Sequence, residues 1–319
     1  MSGSLTSHES PGSSGDCDVL GAGAERHVSA WSIAIALGLV YVIWGSTYLA
    51  IRFAVETMPP LMMAGVRFLC SGVILLALSR RRDKQPLTAA HWKSAGIVGC
   101  LLLLGGNGLV CWAETGDRVP SGVAALLVAT MPLWMVTLGW LAFGGPRPVV
   151  RTWLGLAGGL AGVYLLMAPA SGTTLGPGTD LLGGGALLLA CGFWATGSLY
   201  ARRAELPQSS FTTTGMEMLV GGAALGIVGI ATGEATGFDV TQVSLRSTFA
   251  WLYLVVFGSL LGFTAYIWLL KATTPAVVST YAYVNPAIAV ALGAAAGERL
   301  TRRTWLGTAV IRVGCADPA

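Results

Sequence analysis

Charge is what this sequence has least of. Asp, Glu, Lys and Arg make up 11% of its 319 residues, against 54% hydrophobic residues and a mean hydropathy of +0.69. A soluble domain carries about 25% charged residues to cover its surface, so an ordinary soluble globular protein is excluded. The net charge is only +4, and its basic residues fall in short runs between apolar blocks, which does not make a nucleic-acid-binding face. Histidine is rarer still: His8 and His27 lie in the N-terminal tail and His91 sits beside Trp92 at the entry of an apolar stretch. No Ser/His/Asp set, HExxH, Walker sequence or helix-opening GxGxxG occurs, so nothing points to an enzyme, an ATP-driven pump, a cofactor or a metal. The six cysteines form no CxxC pair, and four of them lie in apolar stretches; they read as small apolar residues, not as ligands or a disulfide framework. Strand-like alternation is missing too, which leaves no signal for a β-barrel.

What the chain does have is long apolar runs. Stretches at 31–51, 60–79, 94–113, 121–143, 152–170, 181–201, 212–232, 248–270 and 276–296 are each long enough, at about 1.5 Å per residue, to cross about 30 Å of hydrocarbon. A tenth, 304–315, is short and contains Arg312. The expected fold is therefore all-α: a polytopic membrane protein of about ten transmembrane helices with a stunted tenth. Residues 1–30 are Ser/Gly-rich and read as a disordered tail, followed by a first apolar block acting as an uncleaved anchor. The run 171–180 (SGTTLGPGTD) is the expected junction between 31–170 and 181–315. If the N-terminus is cytoplasmic, eleven Lys and Arg fall in inside segments and six in outside loops, led by the Arg80–Lys84 cluster. That bias favours the N-in orientation.

The two halves repeat each other. Trp44, Arg52 and Gly72 recur 150 residues on as Trp194, Arg202 and Gly222; Met131-Pro132 is matched by Asn285-Pro286, and Trp153-Leu154-Gly155 by Trp305-Leu306-Gly307. Five spans is an odd number, so the second half enters from the opposite face, an inverted repeat of the kind found in secondary transporters.

Polar residues at membrane depth need a reason, because they are costly there. Arg67 and Glu217 occupy matching places in spans two and seven; they read either as an ion pair, with each other or with Glu114, or as a substrate or proton site. Glu114 ends span three and is either a solvated loop carboxylate or a titrating group at a cavity mouth, with Asn107 on the same helical face. Gly105-Gly106-Asn107-Gly108 should loosen that helix. Trp44, Tyr48, Trp112, Trp134, Trp194, Tyr266, Tyr281 and Tyr283 divide between interfacial belts or lipid-facing packing and an aromatic cavity wall suited to amphipathic or cationic solutes. Pro132 and Pro286 should kink spans four and nine, and Asn285 stands ready to bond the carbonyl so freed. The Gly-xxx-Gly pairs at 155/159, 158/162 and 222/226 read as packing ridges.

The segments WGSTYLAIRFAVETMPPLMMAGVRFL (44–69), GGNGLVCWAE (105–114), VPSGVAALLVATMPLW (119–134) and YVNPAIAVALGAAAGERLT (283–301) together resemble the EamA-type branch of the drug/metabolite transporter superfamily, closest to its YedA-like exporters. The resemblance runs from about residue 30 to 307. It implies two inverted five-helix repeats around a central cavity and export of small metabolites, such as amino acids, or drugs from the cytoplasm through the inner membrane. The expected partners are a small-molecule substrate and the bilayer, and the expected driving force is either the substrate's own gradient or protons entering through Glu114 or Glu217. The alternative is a non-transporting paralogue that keeps the fold, suggested by the short tenth stretch; a channel is disfavoured because no ring of repeated charges appears.

The orientation is open to a direct check. In a background without native cysteines, Asp83→Cys should resist membrane-impermeant thiol reagents in intact cells, whereas Thr174→Cys should label readily. Ready labelling at 83 would reverse the assignment.

Overall fold

The computed structural model describes residues 29–82, 84–115, 118–119, 121–155, 157–158 and 181–295. The expected N-terminal tail, the 171–180 junction, most of span five and the tenth stretch lie outside them. Every regular element among the described residues is a helix. These are α1 (Ala30–Val55), α2 (Pro60–Arg82), α3 (Ala89–Ala113), α4 (Ser121–Val128), α5 (Met131–Leu141), α6 (Leu181–Ala201), α7 (Ser210–Ala231), α8 (Leu245–Ala272), α9 (Pro275–Ser279) and α10 (Tyr281–Ala295); residues 150–155 and 157–158 are also helical. Six of these helices are long and apolar enough to cross a membrane. They are apolar on their outward faces as well: Ile35, Leu39 and Val42 of α1, Val73 and Leu78 of α2, and Ile227 and Ile230 of α7 are all exposed. An apolar surface of this kind needs lipid, not water, around it.

Helix starts are set by local chemistry. Thr88 and His91 form a reciprocal cap on α3: Thr88 Oγ1 accepts from His91 N at 3.1 Å, and Thr88 N donates to His91 Nδ1 at 3.3 Å. Ser244 caps α8 and Thr274 caps α9. The first turn of α2 is capped from the other half of the chain, where the Glu234 carboxylate accepts from Leu61 N and Met62 N at 2.9–3.2 Å.

Two helices depart from α geometry. Cys100–Gly108 of α3 and Leu254–Phe263 of α8 are π-helical, the first falling where the Gly105–Gly108 run was expected to loosen the helix. The stretches expected as spans four and nine are each interrupted, at Ala129–Thr130 and at Thr280. Both breaks carry a threonine whose hydroxyl turns back on the preceding turn, Thr130 Oγ1 to Leu127 O at 2.8 Å and Thr280 Oγ1 to Val277 O at 2.6 Å. The expected kinks at Pro132 and Pro286 are thus placed differently: Pro132 lies in the first turn after its break and Pro286 inside α10. Proline fits the first turn because its missing N–H has no partner to lose there.

At the centre, α2 and α7 cross in the most extensive helix contact of the molecule. Gly65 lies on Gly222 and Gly226, and Gly72 on Gly215 and Leu219. A Cβ added at Gly65 would stand 3.0 Å from Gly222 O, and one at Gly222 would stand 3.0 Å from Gly65 O. The same reciprocity joins Gly72 to Gly215. Gly215 and Gly222 are the residues 150 positions after Gly65 and Gly72. Around this seam α3 packs on α7, α6 on α3 and α5, and α1 on α8 and α10.

Because backbone meets backbone here, side chains have no room to yield. Gly222→Val should lower thermal stability in detergent by about 1–3 kcal/mol, the usual range for overpacking, whereas Gly38→Ala, with nothing within 4 Å of the added Cβ, should leave it unchanged. Equal melting of the two variants would disprove the seam.

Candidate functional site

Beside α2, and walled also by α1, α3, α6, α8 and α10, lies a cavity of about 80 Å³. α1 contributes Trp44, Thr47, Tyr48 and Ile51, and α2 contributes Arg67 and Phe68. Gly106 and Asn107 come from the π-helical part of α3, Cys191 and Trp194 from α6, Gly258 and Phe263 from the π-helical part of α8, and Tyr281 and Asn285 from α10. Seven of the residues singled out from the sequence therefore meet here: Trp44, Tyr48, Arg67, Asn107, Trp194, Tyr281 and Asn285.

The walls are aromatic and held by hydrogen bonds. Trp44 and Trp194 meet edge to face with centroids 5.4 Å apart, and Trp44 packs on Tyr266 at 4.9 Å and on Tyr281 at 5.1 Å. Edge-to-face pairs of this kind add about 0.5–1.5 kcal/mol to burial. Each indole N–H has a partner: Trp44 Nε1 donates to Gly258 O at 3.3 Å and Trp194 Nε1 to Tyr266 Oη at 2.8 Å. Each indole also lies against a glycine of the opposite π-helical segment, Trp44 on Gly262 and Trp194 on Gly106. Any larger residue at those two glycines would displace the ring.

Arg67 is the one charged side chain among the residues that line this cavity, and it is only 4% exposed. Its Nη2 donates to Asn107 Oδ1 at 3.1 Å, its guanidinium carbon stands 4.1 Å from the Phe68 ring centroid, and its Nε–H has no protein acceptor. The expected ion pair with Glu217 does not form. The two residues sit at matching positions of antiparallel helices, so their depths differ, and Arg67 takes an amide in place of a carboxylate. On α10 the Asn285 amide, in the orientation that satisfies both of its atoms, donates to Tyr281 O at 3.0 Å and Tyr41 O at 3.2 Å. Its partners are therefore Tyr281 O and Tyr41 O, and not the Ala282 carbonyl that Pro286 leaves without its helical donor.

The remaining candidates lie elsewhere. Tyr266 is buried directly behind the wall, bonded to Ser198 Oγ at 2.5 Å as well as to Trp194. Glu114 is buried at the C-cap of α3 instead of solvated in a loop, close enough for its charge to act on Tyr48. Trp112 stacks with the Arg118 guanidinium at 4.7 Å, Trp134 packs near Gly192 of α6, and Tyr283, Pro132 and Pro286 lie outside the lining of the aromatic cavity. Glu217 lines a second cavity with Lys271 and Arg202. Sequence reasoning passed over Phe68, Phe263, Ser198 and Lys271. Phe263 was legible only as the aromatic following Gly258 and Gly262 in span eight, and Lys271 only as the last basic residue of the same span.

This arrangement can hold a small organic solute at membrane depth. Guanidinium and amide donors suit an oxyanion, and indole and phenol faces suit an apolar or planar portion. A lipid-facing helical bundle enclosing such a polar, aromatic cavity is the architecture of a membrane transport protein. The chain belongs to the EamA-like transporter family, whose model matches residues 31–168 and 181–316. It is 41% identical over 281 residues to the "uncharacterized inner membrane transporter YedA" of Escherichia coli (strain K12), covering 86% of this chain and 87% of that one. It is 27% identical to protein PagO of Salmonella typhimurium (82% and 84% covered) and 27% identical to protein PecM of Dickeya dadantii (79% and 80%). A crystal structure of a protein 21% identical in sequence superposes with a TM-score of 0.68 over 90% of this chain and 96% of that one, a likeness of fold alone.

The Arg67–Asn107 bond is open to test by stability. Asn107→Leu leaves a buried guanidinium with fewer acceptors and should cost about 1–3 kcal/mol, read as a lower melting temperature in detergent. Asn107→Asp, which keeps the acceptor, should melt above Asn107→Leu, and the reverse order would rule the bond out as a stabilising contact.

Proposed function

We propose that this protein is a secondary transporter of the cytoplasmic membrane that exports small organic metabolites carrying a carboxylate, amino acids or related compounds, by alternating access around the Trp44–Trp194 cavity. The observation that carries the reading is the Arg67 guanidinium, buried beside aromatic walls with an unused Nε–H donor. A buried cation is costly at membrane depth and finds its counter-charge in a substrate anion. The same guanidinium disfavours a bare cation in this cavity.

The reading takes the chain as two inverted five-helix repeats, with ten spans and a cytoplasmic N-terminus. Several features 150 or so residues apart support it: the reciprocal glycines of α2 and α7, the paired tryptophans, the threonine-bearing breaks and the π-helical segments of α3 and α8. The two separate family matches accord with it. One end of the bundle is tied across the halves by Glu234 on the first turn of α2, by Ser247 Oγ donating to Phe53 O at 2.7 Å, and by the Arg246–Glu56 pair at 3.4 Å. Export requires these bonds to break and re-form, because that end is the outward one in the N-in orientation. The driving force is the substrate's own gradient or a proton gradient acting at Glu114 or Glu217.

Uptake into inside-out vesicles, measured over a panel of amino acids and related carboxylates, tests this. Arg67→Gln removes a charge-assisted bond of about 1.5–3 kcal/mol and should reduce uptake about 10–100-fold, and Trp194→Ala should abolish it, with both proteins present at normal levels. Glu114→Gln should flatten the pH dependence if that residue carries the proton. Uptake indifferent to Arg67 and Trp194 would take the cavity out of the pathway, and no uptake across the panel would favour the non-transporting paralogue.

A further inference from the structure

A second cavity, of about 330 Å³, opens at the end of the bundle where α6 and α8 finish and α7 begins. Among its lining residues are Arg202, Pro207, Gln208, Glu217, Ile267 and Lys271, none of which borders the aromatic cavity. Glu217 lies about two turns into α7, is 0% exposed, and neither carboxylate oxygen has a hydrogen-bond partner.

Of the two cations of this crevice, Lys271 is fully committed and Arg202 is tied to carbonyls through two of its five N–H groups. Lys271 Nζ donates to Pro207 O at 2.8 Å, Thr213 Oγ1 at 3.2 Å and Gln208 O at 3.3 Å, which uses its three protons. Arg202 Nη1 donates to Leu270 O and Thr273 O, both at 2.6 Å. Lys271 is near enough to act on Glu217 by charge yet forms no ion pair with it. On its other sides α7 packs on α2 around Gly65, Leu69 and Gly72 and on α3 at Gly99 and Leu103; the charged or titratable side chains of those stretches are Arg67, Cys70 and Cys100. Tyr266, also within reach of the Glu217 charge, holds Trp194 through its hydroxyl.

Glu217 is a buried carboxylate with no donor, lining a crevice in which Lys271 spends its three protons on other acceptors, and it is open to protonation. From this geometry we infer that the crevice is a proton-exchange site, in which a Glu217 oxygen takes a proton from water entering beside Arg202 and Lys271 and returns it by the same route. Lys271 is a tethered positive charge that sets the balance. The site is thus separate from the substrate cavity and open to the end that bears Arg202 and Lys271. This deepens the transport reading above, from which it takes only the proton as coupling ion.

The test uses the full chain reconstituted in lipid vesicles and followed by infrared difference spectroscopy through a pH titration. A protonated-carboxyl band should titrate in the natural protein, vanish in Glu217→Gln and shift its midpoint in Lys271→Gln, with folding of each variant checked by elution and melting. In a cysteine-free background, Gln208→Cys modified with a bulky, impermeant thiol reagent should slow the band's response to a pH step on the Arg202–Lys271 side. Absence of the band, its survival in Glu217→Gln, an unmoved midpoint in Lys271→Gln, or an unaltered response after modification at 208 would each overturn the assignment. Should Glu217→Gln not fold, the Lys271 and 208 measurements decide. Transport is not part of the readout, so a protein that exports nothing could still show the band, and an exporter without it would refute this site alone.

Discussion

Helices in lipid gain nothing from hiding apolar surface from one another, because the lipid is as apolar as they are, so close van der Waals approach has to supply the contact. The crossing of α2 and α7 meets that demand with glycine. Gly65, Gly72, Gly215 and Gly222 bring the two backbones so near that an added Cβ would stand about 3 Å from a carbonyl or amide. Much else follows from how those helices lie. Gly99 and Gly221 let α3 press on α7 next to Glu217, and α6 is carried against α3. The antiparallel crossing also keeps Arg67 and Glu217 at different depths, so each ends in its own polar environment instead of neutralising the other.

The second constraint is the indole pair. Trp44 and Trp194 reach across the centre, and each needs space and a hydrogen-bond acceptor where the bilayer offers no water. Glycines in the π-helical segments give the space, at Gly262 and Gly106. A π turn also disturbs the regular carbonyl ladder, and in α8 the Gly258 carbonyl accepts the Trp44 N–H; π-helical insertions of this sort gather at functional sites. The aromatic wall, the widened helices and the buried guanidinium are therefore one arrangement. In the proposed cycle a substrate carboxylate would meet Arg67 while the rings hold the remainder.

Much of this was legible in the chain itself. Apolar run length located the six helices that are long and apolar enough to cross a membrane, since about 20 residues of helix are what the hydrocarbon demands. The offset of 150 marked Trp44 and Trp194, which meet in the structure, and Gly72 and Gly222, which do not meet but each pack on another glycine of the seam, Gly215 and Gly65. Asn107 and Arg67 stood out by their cost in lipid. The prolines were less informative: the breaks fall at Thr130 and Thr280, where hydroxyls turn back on the helix, and a threonine in an apolar run gives no such signal by itself. Lys271 looked like an ordinary end-of-span cation because its three acceptors come from residues 207, 208 and 213, far away in the sequence.

The sequence by itself determined that the chain is helical and lipid-embedded, because those properties follow from composition and run length, each of which is local or additive. Only the tertiary structure decided which polar groups meet. Arg67 bonds Asn107 and not Glu217, Tyr266 supports the wall from behind, and Glu217 faces a crevice of its own. Such pairings depend on helix depth and rotation, which the glycine seam fixes to within a fraction of a turn and which no single span encodes.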